Sequence, residues 1–219
     1  MKFNNINELR KTYEVKASFY KKNDVTFRNY ADIIRKGYKE DKIDAYIIMM
    51  NPGSCKPIND EDLKNSSSPE SAIYIDVKND RAQKRVMQLM DNTNFNKVRI
   101  LNLFDCKEPK SSKAAQMANE DYGFPISIFS HERRDELNKL TKDDAPYIVA
   151  YTVTGLVEYK KLALKFLVDK KVYGVKKDNN DLSYYYLSPR SNPKIPNRLT
   201  AEEIITEIVS QIKSNEQSK

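Results

Sequence analysis

The sequence predicts an α/β protein: a three-layer α/β/α sandwich with a largely parallel central sheet. Three observations carry this expectation. Unbroken apolar runs recur between chain breakers, as strands buried on both faces require. Segments with apolar residues at helical spacing alternate with those runs. The strand-like runs also end in polar, loop-forming sequence, and in open α/β sheets the carboxyl ends of the strands are where ligands bind.

Taken in order, residues 1–42 are mixed, and Tyr30, Ile33 and Ile34 fall on the buried face of a short helix with Gly37 near its end. The run from Asp44 to Met50 is the first core strand, stopped by Asn51-Pro52-Gly53. Residues 56–71 read as a long polar loop, of a length associated with lids and binding loops. Ala82, Val86, Leu89 and Met90 give a helix over 80–90, and Asn92-Thr93-Asn94 turns the chain into a second strand over 97–104. In that strand Val98, Ile100 and Asn102 alternate with Arg99, Leu101 and Leu103. A polar stretch over 105–118 precedes a helix capped by Ser130 and running to Leu140.

The third strand spans 147–153. Gly155 precedes a helix facing the core with Leu156, Tyr159, Leu162, Ala163, Phe166 and Leu167. Short strands are expected over 171–175 and 182–187. The last helix runs from Thr200 to Ile212, with Thr200 and Glu203 placed for a capping box. A single domain over 1–212 with a fraying tail at 213–219 follows.

Composition narrows the function classes. Hydrophobic residues make up 39% of the 219 positions and are clustered, so the chain can bury a core without staples. No apolar run approaches the roughly 20 residues that cross a bilayer, and the N-terminus lacks a secretory h-region. Cys55 and Cys106 form no disulfide framework or metal-ligand cluster, so the expectation is a cytoplasmic protein without a membrane partner. The net charge of +7 favours polyanions, DNA, RNA or a nucleotide. Dispersed lysines mixed with acids also read as ordinary solvation. Dinucleotide, P-loop, zincin and hydrolase-elbow motifs do not occur, and no cofactor or metal is predicted.

The candidate site therefore lies at the strand ends. Asn51-Pro52-Gly53-Ser54 ends the first strand, Asn102 to Asp105 the second, and Ser188-Pro189-Arg190-Ser191 the last. Proline and glycine set the turn and let backbone N–H groups approach a ligand. Asn51 and Asn102 each offer a donor and an acceptor, suited to a nucleobase edge, while Arg190 suits phosphate. Asp76 and Asp80 flank Lys78 ahead of a helix, and either fits an N-cap or the pocket mouth. His131, the sole histidine, sits among Glu132, Arg133 and Arg134 on a polar surface, and Cys55 has no local basic partner.

The order Ile48 to Ser54, a charged helix over 80–90, then Val98 to Phe104 resembles the bacterial family of unknown function 1643. Members show a strand ending in Asn-Pro-Ser, an aspartate before a helix, a strand ending in Asn-Leu-Phe, a later glycine and a Pro-Arg-His-Pro-like stretch. Asn51, Pro52, Asn102, Leu103 and Phe104 match; Gly155 and Pro189-Arg190 fit the later elements. Gly53 stands where serine is usual and Ser191 where histidine is. A more distant likeness is to uracil-DNA glycosylase folds, in which comparable loops act on a flipped nucleotide. That likeness implies a glycosylase-like hydrolase in which Asn51 or Asp76 orients water, Asn102 reads the base and Arg190 holds phosphate. The absent histidine removes the usual stabiliser of the leaving base anion. A noncatalytic nucleic-acid or nucleotide-binding protein and a protein-interaction domain are the alternatives.

Overall fold

The computed structural model describes residues 1, 3–59, 63, 66–151, 155–177, 182–189 and 199–217. Its strands are β1 (Tyr13–Lys22), β2 (Val25–Arg35), β3 (Ala45–Met49), β4 (Lys56–Pro57), β5 (Ile73–Lys78), β6 (Lys97–Asn102), β7 (Tyr147–Val149) and β8 (Val172–Tyr173). Its helices are α1 (Ile6–Thr12), α2 (Arg81–Thr93), α3 (Ser111–Met117), α4 (Arg134–Leu140), α5 (Val157–Phe166) and α6 (Ala201–Gln217). The strands form one sheet in the order β4-β5-β1-β2-β6-β3-β7-β8.

The α/β class holds, but the sheet is mixed rather than largely parallel. The run β6-β3-β7-β8 is parallel. The pairings β2–β6, β1–β2, β1–β5 and β4–β5 are antiparallel. The cause is a long hairpin where a short helix is expected. Asn23 and Asp24 both adopt left-handed backbone, with φ of 49° and 62°, as a tight two-residue hairpin turn demands. Tyr30, Ile33 and Ile34 accordingly lie in β2.

Strand β3 is buried along its whole length, as its uninterrupted apolar run predicts. Alternate residues feed two separate apolar clusters. Ala45, Ile47 and Met49 join Val98 and Ile100, α1 through Leu9, and the inner faces of α2 and α6. Tyr46 and Ile48 join Leu101, with Ala114 and Met117 of α3, Leu137 of α4 and Ala163 of α5.

Other elements follow local chemistry. Asp80 caps α2, with Gln83 reciprocating, and Asn94 ends it in left-handed backbone at φ 58°. Thr200 and Glu203 form the expected box at the start of α6, each backbone N–H bonded by the other's side chain. That helix continues to Gln217, so most of the tail expected to fray is helical. Leu162 is exposed, and Lys160 takes a buried place on α5 instead. Ser130 precedes a 3-10 turn over His131–Arg133 but makes no side-chain cap. The stretch after Asp105 contains α3. Residues 182–187 contribute only a bridge, Tyr184 to Lys176. Gly174 allows close packing beyond β8: a Cβ there would meet the Val149 carbonyl oxygen at 2.7 Å. No described helix is long and apolar enough to cross a membrane.

Ile47 is fully buried on a central strand. Ile47→Ala is expected to lower stability by about 2–5 kcal/mol, against about 1 kcal/mol for loss of the α6 cap in Thr200→Ala. Urea unfolding of the two variants beside wild type checks both values.

Candidate ligand-binding site

The parallel register of β3 on β6 pairs Met49 with Asn102, so the two strands end together. Pairing continues past both ends: Leu103 N–H donates to the Met49 carbonyl at 2.8 Å and Phe104 N–H to that of Met50 at 3.3 Å. The loops after β3 and β6 therefore leave the sheet side by side. Asn51 fastens one to the other. Its Nδ2 donates to the carbonyls of Cys106, at 3.2 Å, and Glu108, at 2.8 Å. Both amide hydrogens are thus committed, and Oδ1 is left as an acceptor of fixed orientation.

The chain then turns at Pro52, whose carbonyl accepts from Cys55 N–H at 3.3 Å. Gly53 takes left-handed backbone at φ +63°, and a Cβ on it would stand 3.4 Å from Asp80 Oδ2. Pro52 is buried and Ser54 exposed. The turn thereby packs against the start of α2, where Asp80 Oδ1 accepts from Gln83 N–H at 2.9 Å. Gln83 Nε2 in turn lies 3.2 Å from Cys55 Sγ.

Beneath this turn lies a buried polar group that sequence reasoning misses. Arg28 stands at an irregularity of the β1–β2 ladder, where pairing steps from Phe19 with Arg28 to Ser18 with Tyr30. Its side chain is 2% exposed, and Nη2 donates to Asn102 Oδ1 at 3.1 Å. Burial pushes the Cys55 thiol up, and the neighbouring Arg28 guanidinium pulls against that shift. Arg28 Nε and Asn102 Nδ2 are both buried with no hydrogen-bond partner. Unpartnered buried donors cost on the order of 1–3 kcal/mol each. Among the described residues no carboxylate pairs with Arg28. The signal for it in the sequence is conditional: Arg28 becomes an inward-facing cation only once Asn23-Asp24 is read as a hairpin turn.

Asp105 belongs elsewhere. It is fully buried, but its carboxylate turns toward the second apolar cluster, accepting from Arg133 Nη1 at 2.5 Å and from the Tyr20 hydroxyl at 3.1 Å. Arg133 also grips Glu136 through two bonds of 2.8 and 2.9 Å. Asp105 is therefore part of an ionic lock between the β6 loop and the segment leading into α4. Asp76 is exposed on β5, opposite Lys16, beside a surface hollow shared with Arg10, Tyr13 and Lys36. The acid next to the Asn51 turn is Asp80. Ser188 is buried with its hydroxyl unpartnered, and among the described residues no hydrogen bond joins it to Asn51 or Asn102. Arg190 and Ser191 lie outside the described residues. His131 is exposed. Among the described residues no cluster of three or more histidine, cysteine or acidic groups is arranged to hold a metal.

Burial raises Asp105 from the ordinary 3.8 to about 6, against the opposing pull of Arg133. The folded state thus holds this proton more tightly than the unfolded chain does. The stability it contributes is complete below about pH 4 and is lost as pH rises through about 6. The unfolding free energy of wild type relative to Asp105→Asn should therefore fall across that window, by something on the order of 3 kcal/mol. Urea titrations of both proteins at a series of pH values measure it.

No family model matches the chain, and no curated protein matches it. Two solved structures are similar over part of their length. One is Pyrococcus horikoshii acylaminoacyl peptidase in its orthorhombic crystal form, 16% identical with a TM-score of 0.32, the match covering 84% of this chain and 24% of that one. The other is acylaminoacyl peptidase in complex with Z-Gly-Gly-Phe-chloromethyl ketone, 17% identical with a TM-score of 0.33, covering 82% and 24%. The chain thus spans about 24% of the length of each.

Proposed function

We propose that the strand-end site binds a nucleobase or nucleotide. The observation that carries this reading is the pair of buried, unpartnered donors, Arg28 Nε and Asn102 Nδ2, beneath the Asn51 turn. Two donors with the fixed acceptor Asn51 Oδ1 complement an edge that presents acceptor, donor and acceptor, as a 2,4-dioxopyrimidine does. Both donors are buried, so a ligand reaches them as the turn over 52–55 moves aside. The location agrees with the rule that ligands of open α/β sheets sit beyond the carboxyl ends of parallel strands. Reading the two helix-covered apolar clusters as the outer halves of a three-layer α/β/α sandwich supports the same placement.

A second, catalytic reading draws on Asn51 alone. With both amide hydrogens held by carbonyls, Oδ1 is positioned to accept from a water, as a glycosylase-like hydrolase requires of the group that orients its nucleophile. The resemblance to the family of unknown function 1643 and to uracil-DNA glycosylase folds is compatible with either reading.

Calorimetric titration with uridine and thymidine monophosphates tests the binding reading. Arg28→Met removes the buried guanidinium together with its bond to Asn102 Oδ1, which costs on the order of 1–3 kcal/mol of stability; a cooperative urea transition establishes that the variant is folded. It should weaken nucleotide binding by about tenfold or more. Equal affinity in wild type and variant would sink the proposal. Chromatographic detection of free uracil released from uracil-containing DNA, lost in Asn51→Ala, would carry the catalytic reading; binding without release would leave the site noncatalytic.

A further inference from the structure

A polar hollow lies at the other end of the sheet from the Asn51 turn. It measures about 500 Å³ and is lined by Asn4, Arg35, Asp91, Asn94 and Asn96, a volume within the range of small-molecule sites. These residues come from the segment before α1, the end of β2, the last turn of α2 and the turn from α2 into β6. Asn96 and Asn102 bracket β6, which separates the hollow from the strand-end site by about 20 Å.

A chain of hydrogen bonds fixes the wall. Asn4 Nδ2 donates to Asp91 Oδ2 at 2.8 Å, and the Tyr13 hydroxyl donates to Asp91 Oδ1 at 2.5 Å. Arg35 Nη2 donates to that hydroxyl at 2.8 Å, with the guanidinium lying over the Tyr13 ring. The Arg35 backbone N–H donates to the Asn96 carbonyl at 2.7 Å. The set is held in place yet unfinished. Arg35 spends one side-chain nitrogen, leaving Nη1 and Nε uncommitted among the described residues. Asn4 Oδ1 is a buried acceptor with no partner. The side chains of Asn94, exposed, and Asn96, half-buried, make no hydrogen bond among the described residues. A polar group positioned by the fold but left without a partner is one that a bound molecule can satisfy.

The charges say what kind of molecule fits. Arg35 Nη2 and Asp91 Oδ1 stand 3.8 Å apart, so the wall carries a cation and an anion that offset each other. An anionic ligand would meet Asp91 and the negative end of the α2 dipole. A cationic one would meet Arg35. A neutral ligand escapes both. The asparagine amides each offer a donor and an acceptor, and the guanidinium and carboxylate supply the two together. A hydroxyl also donates and accepts, so it satisfies either end of an amide whichever way that amide points. We infer that this hollow binds a neutral sugar, whose hydroxyl groups are taken by Arg35 and Asp91 at the wall and by Asn94 and Asn96. The site is independent of the nucleobase reading above and stands or falls without it.

The test is titration of isotope-labelled protein with glucose, mannose, galactose and ribose, followed by NMR. At least one sugar should give saturable shifts confined to the hollow, the amide signals of Asn4, Asn94 and Asn96 among them. Asn94→Gly keeps the left-handed backbone of that position, φ 58°, while removing its amide. Combined with Asn96→Ala it deletes both uncommitted amides and no hydrogen bond described within the fold, so the urea midpoint should match that of wild type. Sugar affinity should fall by about tenfold or more in the double variant, as the loss of one or two hydrogen bonds gives. The inference is overturned by the absence of a saturable shift with every one of these sugars, or by an affinity that the double variant leaves unchanged. It is overturned equally if inorganic phosphate produces the same shifts, which would mark an anion site.

Discussion

The parallel pairing of β3 with β6 is the constraint on which the rest of the site depends. It aligns Met49 with Asn102 and carries on through the bonds from Leu103 and Phe104, so the following loops start in register. Asn51 then ties its own loop to the carbonyls of Cys106 and Glu108. A loop fixed at two points to its neighbour loses much of the conformational freedom that a surface turn otherwise keeps. The turn at Pro52 and Gly53 can consequently sit tightly against Asp80 and shield the polar groups below it.

Two buried arginines, Arg28 and Arg133, and the partly buried Arg99 show what is unusual about that shielded group. Arg99 makes a two-pronged pair with Asp32, both bonds 2.8 Å, and lies over the Tyr30 ring. Arg133 is neutralised by Asp105 and Glu136. Each obeys the rule that a buried charge is kept only where a carboxylate compensates it. Among the described residues Arg28 has an amide oxygen and a thiol for company instead. In the proposed reading, that exception is where a ligand would supply the missing partner.

The sequence made much of this visible, and where it did not the reasons are physical. Buried parallel strands announce themselves as apolar runs, so β3, β6 and β7 were legible, as were α2 and α6 from their caps and stripes. The strand-end rule singled out Asn51 and Asn102 but left open whether their loops meet; the parallel pairing of β3 with β6 brings them together. The β1–β2 hairpin was not legible by periodicity, because Arg28, Asn29 and Asp32 are polar yet buried and erase the alternation that marks a strand. Only the turn residues Asn23 and Asp24 carried that signal. Asp105 misled for the opposite reason: its position at a strand end suggested ligand contact, but which face its carboxylate takes is decided by Arg133, distant in sequence.

The face each group occupies also separates two kinds of recognition in the proposed reading. Donors sealed from water act at short range and in low dielectric, so they discriminate between base edges and are insensitive to salt. Exposed cations act through solvent and weaken as counterions compete. Phosphate contacts position a nucleic acid and base contacts specify it. With Asn51 fixed to the Cys106 and Glu108 carbonyls, the Arg28 and Asn102 donors lie behind the turn that follows it, so in the proposed reading a ligand that pairs with them has first to displace residues 52–55.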